Sequence, residues 1–269
     1  MTKTGCVKTN GFEMEYFTFG SGSRPFVILP GISIQGVMGV QRAVEESYAI
    51  MKEDFTVYVF DRRKEVPDPY SIDDMADDTA AVLAELALTD VYLFGASQGG
   101  MIAMVLAARY PALVKKLILG STASRVSQAQ FQTTLSRWIN LAKEKNAAAL
   151  YDAFGRAIYP ADIYAQFKDI FAAAAKTVTE EELKKFIILA ESVCDFDCTE
   201  ELVKITCPVL AIGNKDDEVL DAAATEEIMN NLSPNPDHTM YLYEGYGHAA
   251  FDTAPDYRQR LYDFCIRNS

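Results

Sequence analysis

One stretch in the middle of the chain, residues 91–109, constrains the fold more than any other. The apolar run Val91–Phe94 is followed by the abrupt turn Gly95-Ala96-Ser97-Gln98-Gly99 and then by an alanine-rich helical segment. A strand, a tight turn and a helix in this order hold a serine at the tip of the turn, as in a nucleophile elbow. The two flanking glycines fit this prediction because a Cβ there would collide with a neighbouring strand or helix. Short Gly-x-Ser-x-Gly strings also occur by chance, so the rest of the chain has to support the prediction.

Apolar strands and helical segments alternate on both sides of this stretch. Because the strands are apolar throughout, they predict a parallel sheet that is covered by helices on both faces, an α/β fold. An Asn10-Gly11 turn predicts a hairpin at the start of the chain. Beyond the central strand, strands are predicted at Phe26–Leu29, Thr56–Phe60, Lys116–Gly120, Cys207–Gly213 and Thr239–Tyr243, with a long helix at Val37–Met51 and a final helix from about Pro255 to Ile266.

The alternation stops after Ser121, and only helical patterns follow until about residue 194. This break predicts a core domain formed by residues 1–121 and 201–269, with a helical lid inserted at 122–200. Long insertions at the carboxyl edge of a sheet usually border the site. The alternative is extra scaffold without a role in binding.

Composition narrows the possible partners. The 269 residues carry a formal charge of −13, which argues against binding to nucleic acid or to an anionic membrane surface. The start of the chain has no apolar run typical of a signal peptide, and five cysteines without a framework spacing indicate reduced thiols and a cytoplasmic protein. Cys194 and Cys198 have no histidine near them in the sequence, so we expect no metal site. We also expect no cofactor, and a small molecule as the substrate.

A serine hydroxyl needs a base, and the base needs an orienting carboxylate. The sequence has two histidines. His238 lies among prolines before the last strand, where a solvent-exposed turn is expected, whereas His248 follows that strand at the edge where Ser97 emerges. The sequence therefore favours His248 as the base. The turn after the preceding strand offers three carboxylates, of which we favour Asp216, with Asp217 second; the third is Glu218.

The chain resembles the α/β-hydrolase superfamily, in particular its branch of lid-bearing esterases, lactonases and C–C hydrolases. The resemblance rests on three short motifs: Gly95–Gly100, Gly213-Asn214-Lys215-Asp216 and Gly247-His248. It implies the triad Ser97, Asp216 and His248, because the carboxylate in this branch usually comes three residues after such a glycine.

The resemblance also implies an oxyanion hole made by two backbone amides, those of Ile32 and Gln98. Relatives carry His-Gly in the first of these loops, where this chain has Pro30-Gly31. A second departure is the charged stretch 61–65, Asp-Arg-Arg-Lys-Glu, which replaces a glycine-rich loop and is expected to reshape one wall of the pocket.

These observations predict a serine hydrolase that cleaves a small carboxylic ester or lactone through an acyl-enzyme. Rival activities on the same triad are those of a C–C bond hydrolase, a thioesterase and an aminopeptidase. A ligand receptor of the same fold with slow turnover is the rival from another class. The serine at the elbow argues against haloalkane dehalogenases and epoxide hydrolases, because a resemblance to those enzymes would require an aspartate at this position. The oligomeric state is open.

Overall fold

A computed structural model of the protein describes residues 2–126 and 129–267. Its centre is an eight-stranded sheet in which the strands lie in the order β1-β2-β4-β3-β5-β6-β7-β8. The pairs β1–β2 and β2–β4 are antiparallel, and all the others are parallel. The strands are β1 Lys3–Thr9, β2 Phe12–Gly20, β3 Arg24–Leu29, β4 Phe55–Arg63, β5 Val91–Ala96, β6 Val114–Gly120, β7 Val209–Asn214 and β8 Thr239–Tyr243.

The predicted hairpin and the predicted parallel core are confirmed. Asn10 and Gly11 both have positive φ, 47° and 80°, as the tight turn between β1 and β2 requires. The strand β5 lies between β3 and β6, and its side chains alternate between the two faces of the sheet. The elbow serine therefore follows a fully buried central strand.

Helices cover both faces. The helices α2 Ile72–Glu85 and α3 Gln98–Arg109 contribute to the larger core, which contains Leu93, whereas α10 Tyr257–Ile266 packs against Phe94 on the opposite face. Ser71 is the N-cap of α2 and forms a capping box, in which Asp74 is the reciprocal partner. The remaining helices of the core are α1 Gln41–Ser47, α8 Ala222–Asn231 and α9 Ala250–Thr253.

The long helix predicted at Val37–Met51 is wrong in detail. This segment is divided into a 3₁₀ turn at Val37–Val40, the short helix α1 and a second 3₁₀ turn at Ala49–Met51. None of the α1 residues is buried, whereas Met51 is fully buried. The helix breaks because the chain has to turn Met51 into the core.

Between β6 and β7, the described residues form helices and no sheet strand. These are α4 Ala129–Lys143, α5 Ala147–Ile158, α6 Ala161–Ala174 and α7 Glu180–Glu191, together called the helical insertion. Their buried side chains extend the larger core, the one that contains Leu93; here the rings of Trp138 and Phe154 are 4.7 Å apart and Phe186 is fully buried. A lid function, with its boundaries at 122 and 200, stays a prediction.

The first testable prediction concerns Gly99, where α3 crosses β3. A Cβ built on Gly99 would lie 2.0 Å from the carbonyl oxygen of Leu29, which is a backbone atom and cannot rotate away. We expect Gly99→Ala to lower the free energy of unfolding by about 3 kcal/mol or more, at the upper end of overpacking penalties. Urea denaturation measures this.

Gly39→Ala is the matched control for that variant. A Cβ there has no atom within 4 Å, so we expect a change of less than about 0.5 kcal/mol. Equal stability of the two variants would contradict the close approach of α3 to β3.

Candidate active site

Ser97 occupies a strained turn between β5 and α3. Its φ and ψ are 51° and −122°, an unfavourable backbone region for a residue with a Cβ. Three hydrogen bonds hold this geometry: the amide of Ser97 donates to Gly120 O at 2.8 Å, and the Ser97 carbonyl accepts from the Thr122 hydroxyl at 2.7 Å and the Gly100 amide at 2.8 Å. The turn lifts the Ser97 side chain above the carboxyl edge of the sheet, as the sequence predicts.

Ser97, His248 and Asp217 form one hydrogen-bonded chain. The Ser97 hydroxyl lies 3.0 Å from Nε2 of His248, and Nδ1 of the same ring lies 2.8 Å from Oδ2 of Asp217. His248 and Asp217 are both buried. When Nδ1 carries the proton and donates to Asp217, Nε2 can accept the hydroxyl hydrogen of Ser97. This arrangement can therefore move a proton from Ser97 to the ring.

The choice of Asp216 as the carboxylate that faces His248 is wrong. The Asp216 carboxylate accepts instead from the backbone amides of Gly245 and Gly247, at 2.8 and 3.3 Å. Asp217 bonds the ring through Oδ2, while its Oδ1 accepts from the amides of Val219 and Leu220, each at 2.8 Å. Consecutive side chains of this loop point in different directions, so the spacing from Gly213 led to the wrong neighbour.

The loop that carries His248 is fixed to the end of β7. Asn214 donates from Nδ2 to Gly247 O at 2.7 Å, and the amide of Lys215 donates to Tyr243 O at 2.9 Å. Sequence analysis missed Asn214. Its signal was a polar residue at the last position of an apolar strand, where it is fully buried in the structure.

The loop after β3 lies directly against the serine. A Cβ built on Gly31 would be 3.1 Å from Cβ of Ser97 and 3.3 Å from Ala96 O, so this glycine permits the close approach. Ile32 is the next residue of that loop, and Gln98 is the first residue of α3. The two predicted amide donors thus belong to segments that meet at Ser97, and their role in an oxyanion hole stays a prediction.

The helical insertion is hydrogen-bonded to each of the three segments around Ser97. The amide of Ala249, next to His248, donates to Ile158 O at 2.9 Å. The side chain of Gln98 donates to Leu189 O at 2.6 Å. In the loop after β3, Gln35 accepts from the Tyr151 hydroxyl at 2.8 Å.

His238 is half-buried rather than in the solvent-exposed turn that was expected. Its Nδ1 accepts from the amide of Val209 at 3.0 Å, and its Nε2 lies 3.0 Å from Ser233 O. The ring therefore links the start of β7 to the segment after α8, far along the chain from the elbow. This histidine has a structural role.

Over residues 2–126 and 129–267, no three His, Cys, Asp or Glu side chains gather as metal ligands. In the same part of the chain, no helix has the length and apolar character needed to cross a bilayer. Burial raises the pKa of the Cys198 thiol to about 12 and that of the Cys207 thiol to about 11.

The sequence model of the α/β hydrolase fold matches residues 24–255, most of the chain and all the segments of the site. The chain belongs to the α/β-hydrolase family. It is similar to a putative carbamate hydrolase, RutD, of Pantoea ananatis, with 27% identity over 219 residues that cover 77% of each chain. It is also similar to 3-oxoadipate enol-lactonase 2 of Acinetobacter baylyi, with 22% identity over 78% of each chain.

Solved structures agree on the fold of this hydrolase. An α/β hydrolase enzyme, MGS-M2, from a Medee basin deep-sea metagenome library superimposes with a TM-score of 0.86 at 18% identity, covering 98% of both chains. The enol-lactonase from Burkholderia xenovorans superimposes with a TM-score of 0.82 at 19% identity, covering 98% of this chain and 100% of the other. At such low identity the likeness shows the shared fold alone.

The second prediction separates the two neighbouring aspartates of this hydrolase. We expect Asp217→Asn to lower kcat by about 10⁴-fold, because an amide cannot hold His248 in the required tautomer. Asp216→Asn should lower kcat by roughly tenfold or less, because asparagine keeps an oxygen acceptor for the Gly245 amide. Steady-state kinetics on any ester that the hydrolase turns over measures both; a larger loss in Asp216→Asn would contradict the assignment.

Proposed function

We propose that the protein is a serine hydrolase that cleaves a small carboxylic ester or lactone through an acyl-enzyme on Ser97. The observation that carries this proposal is the hydrogen-bonded chain from Ser97 through His248 to Asp217, at 3.0 and 2.8 Å. Serine, histidine and aspartate in this geometry are the recurrent means of making a hydroxyl nucleophilic at neutral pH.

In the proposed reaction, Oγ of Ser97 attacks the substrate carbonyl carbon while its proton passes to Nε2 of His248. The ring becomes an imidazolium, which the buried carboxylate of Asp217 stabilises. The backbone amides of Ile32 and Gln98 donate to the oxyanion, and the loss of one such donor costs about 3–4 kcal/mol of transition-state stabilisation. His248 then protonates the departing alcohol oxygen, which breaks the carbon–oxygen bond and leaves an acyl group on Ser97.

Water completes the cycle by the same steps. His248, neutral again, takes a proton from a water molecule that attacks the acyl carbon. When His248 returns this proton to Oγ of Ser97, the carboxylic acid is released and the serine is restored. In a lactone the alcohol and the acid belong to one molecule, so the product leaves only after this second step.

The positive end of α3 supports the same assignment. The helix begins at Gln98, so its first amides and its dipole are directed toward Ser97, where the negative charge would develop. Residue 98 is buried, which shields this end of the helix from water. Interactions of this kind are stronger in a site from which water is excluded.

A carbamate is the second candidate substrate class. The relative from Pantoea ananatis is named as a putative carbamate hydrolase, whereas that from Acinetobacter baylyi is named as an enol-lactonase. A carbamate carbonyl can be attacked by the same serine, with an amine or alcohol as leaving group. We favour the ester or lactone because the nitrogen lone pair of a carbamate makes its carbonyl carbon less electrophilic than that of an ester. A cytoplasmic location and a helical lid remain parts of this proposal.

The third prediction tests the nucleophile and the substrate class together. We expect Ser97→Ala and His248→Gln each to remove turnover by about 10⁴-fold or more while the fold is retained. A panel of p-nitrophenyl esters of increasing acyl length, γ- and δ-lactones, N-methyl carbamates and aminoacyl anilides should show the highest kcat/KM for an ester or a lactone.

His238→Gln is the matched control for the histidine. We expect this variant to lose stability and to keep its rate, because the ring nitrogens of His238 contact the backbone of Val209 and Ser233 and not the triad. Turnover retained by purified Ser97→Ala would refute the proposed mechanism. A higher kcat/KM for the carbamate would move the assignment to the second class.

A further inference from the structure

Arg62 is a buried cation in the charged stretch 61–65. It lies near the end of β4, and only 6% of its surface is exposed. Arginine is rarely buried to this extent unless its hydrogen-bonding groups are used. The contacts of the Arg62 guanidinium therefore indicate the role of this residue.

One nitrogen of the guanidinium bridges two separate segments of the site. Nη2 donates to Pro30 O at 2.8 Å and to Oε1 of Gln98 at 3.0 Å. Because Nη2 carries two hydrogens in a rigid plane, these two bonds fix the distance and the angle between both acceptors. Both acceptors are neutral, so Arg62 is not placed here to neutralise them.

The two acceptors are close to the two proposed oxyanion donors. Pro30 is two residues before Ile32, so the bond to its carbonyl orients the loop that supplies the first amide. Gln98 supplies the second amide from its own backbone. Arg62 is thus positioned to set the separation of the two amides, which is the dimension of an oxyanion hole that matters for catalysis.

The side chain of Gln98 extends this connection into the helical insertion. Its Oε1 accepts from Arg62, and its Nε2 donates to Leu189 O at 2.6 Å and to the Ser192 hydroxyl at 3.2 Å. All three polar contacts of this amide lie in a buried or half-buried region. The side chain of Gln98, in the first turn of α3, is therefore held between Arg62 of β4 and the end of α7.

Burial makes this placement of a charge costly. It lowers the pKa of the Arg62 guanidinium, while Asp61 and Tyr70 act in the opposite direction. Within the described residues, Nε of Arg62 is buried and has no hydrogen-bond acceptor. Burial likewise lowers the pKa of Lys185, which lies across the same small cavity from Arg62. An apolar side chain would fill this position at lower cost, so the arginine serves something other than packing.

We propose that Arg62 is a positioning residue for the reaction, which holds the Pro30–Ile32 loop and Gln98 at the separation that the oxyanion requires. This inference rests on the proposed function. Arg62 does not touch the reacting atoms; it acts through the two backbone amides.

The fourth prediction tests this role with two variants. Arg62→Met keeps the length of the side chain and removes its donors, and we expect kcat to fall by about 100-fold while KM changes by about threefold or less. Arg62→Lys keeps the charge but cannot hold both acceptors in a planar fork, so we expect a loss of about tenfold. If Arg62→Met does not fold, the kcat of Arg62→Lys tests the positioning role by itself.

A second readout separates positioning from a general structural role. An alkyl boronic acid that forms a tetrahedral adduct with Ser97 should bind less tightly to Arg62→Met by about the same factor as the loss in kcat/KM. A non-hydrolysable ether analogue of the substrate, which lacks the carbonyl, should bind unchanged. Inhibition constants for the two compounds measure this difference in the same folded protein.

Arg63→Met is the matched control. Arg63 pairs with Asp78 at 3.3 Å and packs over the rings of Phe12 and Tyr70, and it has no hydrogen bond to Pro30 or Gln98 in the structure. We expect its kcat to remain within about twofold of the wild type. Unchanged kcat in a folded Arg62 variant would overturn the inference, as would equal weakening of the boronic acid and the ether.

Failure of the inference and failure of the proposed function give different results. If Ser97→Ala has no turnover and the wild-type protein binds the boronic acid, the function holds, and an active Arg62→Met removes only the role of Arg62. If Ser97→Ala retains turnover, the function itself fails, whatever the Arg62 variants do.

Discussion

The site depends on the strained backbone of Ser97. A positive φ in a residue with a Cβ costs of the order of 1–3 kcal/mol, and it persists only where surrounding contacts impose it. Here the imposing contacts are the buried strand β5, the hydrogen bonds of Ser97 to Gly120 and Thr122, and the close approach of Gly99 to the backbone of Leu29. Relaxing this turn would move the hydroxyl away from His248 and tilt the start of α3. The strained backbone, the position of the Ser97 hydroxyl and the direction of the α3 dipole therefore follow from one local geometry.

The remaining parts of the site are held relative to that turn by polar contacts between loops. Parallel strands bring the loops after β3, β5, β7 and β8 to one edge, but this places them only to within several ångströms. Finer placement comes from Asn214, which bonds the loop of His248, and from Arg62, which bonds the loop after β3. The helical insertion bonds all three segments. Side-chain hydrogen bonds thus convert a common fold into a defined geometry.

Sequence reasoning predicted the architecture because hydrophobic periodicity and turn residues are local signals. It also brought Ser97 and His248 together, since both follow strands whose order is that of a parallel sheet. It wrongly chose Asp216 over Asp217, because adjacent carboxylates in a loop differ only in direction, which distant partners such as Gly245 decide. The role of Gln98's side chain was equally hidden, since its acceptor Leu189 lies 91 residues further along the chain.

The central claim is that Ser97 becomes a nucleophile because His248 accepts its proton and Asp217 stabilises the imidazolium that forms. The most direct measurement is labelling with a fluorophosphonate, followed by digestion and mass spectrometry of the modified peptide. We predict a single adduct on Ser97, formed far more slowly in Asp217→Asn and at the wild-type rate in His238→Gln. An adduct on another residue, or full labelling of the Ser97→Ala variant, would contradict the account.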